Sequence, residues 1–109
     1  MIQKITVLDV DTGCREIFAS VSDGIAVHNT IMGRIEPSRQ ALWNKYRPRW
    51  TVTHAESGFA FDHVYTATVA RRMQRFLIEL GAGKLSADEL RKLKKPVVKA
   101  IARAKVAHE

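Results

Sequence analysis

Two short phrases constrain this chain more than any other feature: TVLDVDTGC, starting at Thr6, and TVTHAESGF, starting at Thr51. Both read Thr-Val-x-(Asp/His)-x-(Asp/Glu)-(Thr/Ser)-Gly, with an offset of 45 residues. An acidic or hydroxyl side chain can bond the backbone that follows it, and glycine accepts positive φ without strain. Each phrase therefore reverses the chain. The flanking residues are rich in Val, Ile, Phe and Thr, which suit pleated strands. Two such reversals predict hairpins and an antiparallel sheet. Convergence on one good turn explains the echo more cheaply than duplication does.

The remaining elements follow in chain order. Residues 2–10 read as a strand through Ile5, Val7, Leu8 and Val10, and CREIFASV as its return. Asp23-Gly24 is the signal for a two-residue type I′ turn, so IAVHN becomes a third strand. A short helix is expected between Pro37 and Pro48. In the second hairpin, alternation sends Trp50, Val52 and His54 to one side and Thr51 and Thr53 to the other.

Val69, Met73, Phe76, Leu77 and Leu80 share one helical face, with Thr66 or Thr68 as the start and Gly81 as the stop. Ser86-x-x-Glu89 is a capping box. After it, Leu90, Leu93, Val97, Ala100, Ile101 and Ala104 form one stripe, and Pro96 should kink or split the helix into 87–94 and 96–107. The expected order is βββ-α-ββ-α-α, an α+β domain with helices on one face of an antiparallel sheet. At this length, 1–109 reads as a single domain: a meander over 1–33, a helix, hairpin and amphipathic helix over 34–83, and a basic helical segment over 84–109.

Several function classes are disfavoured. No run of about 18 apolar residues occurs, so no membrane partner is expected. MIQKITVLDV lacks an apolar signal region, and Cys14 has no partner for a disulfide, so the cytoplasm of a bacterial cell is the expected location. Cys14 itself reads as a half-buried strand or turn thiol. His28, His54, His63 and His108 show no metal-ligand spacing, and neither a metal nor a cofactor is expected. Ser57-Gly58 lacks the strand–turn–helix setting of a nucleophile elbow, and GAGK lacks the spacing of a phosphate loop. The chain reads as a non-enzyme.

Charge points the other way, toward binding. The formal net charge is +7, divided as −2 over residues 1–33, +4 over 34–83 and +5 over 84–109. A field of one sign attracts phosphate backbones or acidic protein surfaces. The candidate contacts are Arg47, Arg49, Arg71, Arg72, Arg75, Arg91, Lys92, Lys95 and Lys99. In RQALWNKYRPRW, Trp43 and Tyr46 are candidates for stacking on unpaired bases.

RWTVTHAESGFAF, together with the amphipathic segment 66–80, resembles small bacteriophage and prophage accessory proteins with a Trp-x-Val-Thr-His-x-x-(Ser/Thr)-Gly hairpin followed by a helix. The matching residues are Trp50, Val52, Thr53, His54, Ser57 and Gly58, about a third of the chain with the helix included. The resemblance implies a host-modulating or anti-defence protein, an anti-CRISPR-like or nuclease inhibitor, whose partner is a host protein or ribonucleoprotein complex. The alternative is a regulator that binds DNA or RNA directly. The sequence leaves the oligomeric state open.

Overall fold

A computed structural model describes residues 2–9, 13–30 and 49–106. The helix expected between Pro37 and Pro48, with Trp43, Tyr46 and Arg47, lies outside the described residues, as does His108.

The described chain forms strands β1 (Ile2–Asp9), β2 (Gly13–Ser22), β3 (Ile25–Asn29), β4 (Trp50–His54) and β5 (Ala60–Val64). Helices α1 (Ala67–Leu80), α2 (Ala87–Lys92) and α3 (Lys94–Val106) follow, with a 3-10 turn at Ala82–Lys84. The strands make one antiparallel sheet in the order β1-β2-β3-β4-β5, and the helices pack on one face of it. This is the expected α+β architecture.

The turn chemistry is as the sequence suggests. Asp23 and Gly24 have φ of 45° and 80°, as a type I′ turn demands. The glycines of the two echoed phrases, Gly13 and Gly58, adopt nearly the same positive φ, 86° and 75°. Gly58 has a second reason to be glycine: an added Cβ would lie 2.6 Å from the Thr6 carbonyl oxygen. The β1–β2 ribbon therefore curls until its backbone meets the β4–β5 turn. Its inner side chains Ile5, Val7, Ala19 and Val21 bury themselves with Ala26 in a small core of their own.

Cys14 does not belong to that core. It is exposed, because alternation places it on the outer side of the ribbon with Glu16 and Phe18. The sequence expectation of a half-buried thiol is corrected accordingly.

The main core lies between sheet and helices. Ile25, Val27, Val52 and Val64 meet Ala70, Met73 and Leu77 of α1 and Val97, Ala100 and Ala104 of α3. The starts of α1 and α2 and the stop of α1 are those the sequence dictates. Thr66 accepts a hydrogen bond from the Val69 amide, and Gly81 ends α1 in the left-handed region. At α2 both halves of the Ser86/Glu89 capping box form, and the Ser86 amide holds the Glu89 carboxyl below its ordinary range.

The helical stripe breaks at Leu93, so Pro96 falls in the first turn of α3, where its missing N–H costs little. The segment GAGK also finds its explanation here. Gly83 lies against the Asp23–Gly24 turn so closely that an added Cβ on Gly24 or on Gly83 would overlap backbone.

Candidate functional site

Alternation along β4 sorts the chemistry of the hairpin. Val52 and His54 face the helices, opposite Val27 and Ile25, while Thr51 and Thr53 face the other way. On that second side His28 donates from Nδ1 to the Asn29 carbonyl at 2.8 Å, so its Nε2 accepts from the Thr53 hydroxyl at 2.7 Å. Thr51 bonds His63 Nδ1 at 2.8 Å and Thr30 Oγ1 at 3.0 Å. His54 and His63 belong to the two strands of one hairpin, but they lie on opposite faces, and His63 pairs with Thr51. Burial holds His28 below its ordinary pKa against the contrary effect of its bond to Asn29, and the charge of His63 lowers it further. Among the described residues no three His, Cys, Asp or Glu side chains converge as a metal cluster would.

On the helix side, His54 Nδ1 lies 2.7 Å from Ser57 Oγ and also accepts the Ser57 amide at 3.3 Å. A Ser–His pair invites a nucleophilic reading. The bonding argues for a turn lock instead. Ser57 Oγ also accepts the Phe59 amide, and His54 is fully buried with Nε2 unpartnered. Both bonds at Nδ1 stay within the turn, and the Phe61 ring stands edge-on to the imidazole at 6.1 Å.

The candidate contacts divide by position. Arg71 and Arg75 are exposed one turn apart on α1; Lys95 and Lys99 are exposed one turn apart on α3, in line with Arg103. Arg91 and Lys92 are exposed on α2, and Arg49 precedes β4, also exposed. Arg72 departs from the expectation. It is 7% exposed, and its Nη1 donates to the Ala104 carbonyl at 2.9 Å. That bond ties α1 to the end of α3, so Arg72 is a strut between helices rather than a surface contact.

Above the strut, two helices contribute to one cationic arrangement. The Arg103 guanidinium sits 4.4 Å from the centroid of the Phe76 ring, and that of Arg75 sits 5.4 Å from it. Stacking on a ring fixes a guanidinium while leaving its N–H fork for another partner. Arg103 was missing from the sequence-derived contacts, because nothing in the linear order puts residue 103 beside residue 76. Lys105 is on α3 too, but its charge is met by Asp62 of β5 at 2.6 Å.

Comparison with protein-family models, curated proteins and solved structures finds no match for this chain. No helix among the described residues is long and apolar enough to cross a membrane.

Proposed function

We propose that this is a non-enzymatic binding protein that presents the cationic surface of α1 and α3 to an anionic partner. The partner class is a host defence or nucleic-acid-processing complex, as the resemblance to phage accessory proteins suggests. The observation that carries the reading is the Arg75–Phe76–Arg103 stack. Each guanidinium held against that ring keeps its N–H fork for an anionic acceptor. Arg71, Lys95 and Lys99 extend the same sign of charge along both helices. Because Arg72 braces the pair, the surface is rigid before the partner arrives, which lowers the entropy cost of binding.

An acidic protein surface is favoured over a nucleic acid because the sequence carries no recognisable module for reading bases. Fluorescence anisotropy against labelled polyglutamate and labelled duplex and single-stranded DNA and RNA, at two salt concentrations, tests this. The expected result is salt-sensitive binding to polyglutamate that falls at least about tenfold in R75E/R103E. Unchanged binding by that variant would remove the stack from the site. Tighter binding to nucleic acid than to polyglutamate would promote the direct nucleic-acid regulator, with a salt slope that counts the phosphates engaged.

A further inference from the structure

A cleft of about 550 Å³ opens between the β4–β5 turn and the α2–α3 pair. A local irregularity of the sheet creates it. Val52 pairs with Asp62 while Thr53 pairs with Ala60, so Phe61 is an extra residue in β5. A bulge re-aims side chains, and Phe61 here turns to the helix side, against the main core. Its ring meets that of Phe59 edge-to-face at 6.0 Å, and the two form one wall. The opposite wall comes from one face of α3, where Lys94, Val97, Val98 and Ile101 recur at helical spacing, with Leu90 of α2 beside them.

The cleft has the size of a small-molecule site, about 300–1,000 Å³. Its lining is apolar apart from Ser57, Arg91 and Lys94, and no carboxylate lines it. Phe59 is 53% exposed and Val98 is 55% exposed, so the chain itself leaves part of this apolar surface in water. The polarity is graded along α3. Lys94 stands at one end, and the lining continues along α3 through Val97 and Val98 to Ile101 with no further charge. Arg91 is engaged only loosely, at 3.6 Å from a fully solvated Asp88, and such pairs exchange readily. Lys94 makes no ion pair with any described residue.

We propose that this cleft binds an amphipathic carboxylate, with its apolar chain between Phe61 and α3 and its carboxylate on Arg91 and Lys94. A chain with one anionic end matches a groove that is apolar along its length and cationic at one end. An uncharged ligand would leave both cations unused, and a polyanion would leave the apolar walls wet. The site is separate from the Arg75–Arg103 stack, and neither reading depends on the other.

The test uses decanoate, kept below its micellar concentration, and decyltrimethylammonium, which carries the same chain with the opposite head. Isothermal titration and methyl NMR shifts are recorded on the full chain. Expected are saturable one-to-one binding of decanoate, shifts centred on Leu90, Val97, Val98 and Ile101, and little binding of the cationic amphiphile. R91E/K94E should weaken decanoate binding about tenfold. The comparison of head groups on the unaltered chain holds even if that variant folds poorly. Equal binding of the two amphiphiles, absence of saturable binding, or shifts confined to the other face of the sheet would each overturn the proposal. So would self-association of the ligand-free protein that V98D abolishes, since the groove's occupant would then be a second copy.

Discussion

The two faces of β4 are built from the same five residues and stabilised by different physics. Val52 enters a continuous apolar core with Ile25, Val27, Met73 and Leu77, where burial of surface and close packing supply the stability. Thr51 and Thr53, one residue away on either side, are just as buried, at 3% and 1% exposure, yet they face His28, His63 and Thr30 through hydrogen bonds. A buried hydroxyl without a partner is costly, whereas one with a partner is nearly neutral. At Val52 the apolar face therefore asks chiefly for an apolar side chain of the right volume. The polar face tolerates only residues that keep the bonding complete.

Substitutions that break this contrast should fall in a definite order. The largest effect is expected from Leu77→Ala, which opens a cavity on the helix side and should cost about 3 kcal/mol in urea unfolding. Next is Thr53→Val on the other side, almost isosteric, which removes the hydroxyl that serves His28 Nε2 and should cost about 1–2 kcal/mol. A Thr53→Val protein as stable as its parent would show that the polar face is held by packing after all.

The smallest effect is a dependence on pH. Burial holds the folded pKa of His28 below its ordinary value of 6.5, so the unfolded chain binds the proton more readily. Stability should be complete above that value and decline as pH falls beneath it. His28→Gln should flatten the part of the slope that begins there, as read from denaturation midpoints over a series of buffers.

Much of the fold was legible because local chemistry decides it. The turn glycines, the Thr66 and Ser86 caps and the Gly81 stop are each dictated within a few residues of sequence, whereas the break expected at Pro96 falls at Leu93, ahead of it. The binding features were less legible because they depend on distant pairs. Arg72 lies off the apolar face of α1 in a helical projection, but α3 crosses there and its Ala104 carbonyl receives the guanidinium. The Phe76 ring that gathers Arg75 and Arg103 reads in sequence only as one apolar residue on a stripe. The bulge at Phe61 breaks the period of two on which strand reading relies, so the cleft has no linear signature. Cys14 was misplaced for a simpler reason: its strand has two sides, and alternation alone does not say which of them is covered.

The contact between Gly24 and Gly83 ties the first third of the chain to the last. A hairpin closed by a two-residue turn forms in about 1–10 μs from neighbouring residues alone. The linker after α1 has local support too, in the left-handed Gly81 cap and the 3-10 turn, and it also fits closely against the Asp23–Gly24 turn. Since α2 and α3 follow that linker, a side chain at either glycine would displace both helices, and every cation they carry, from a turn about sixty residues upstream.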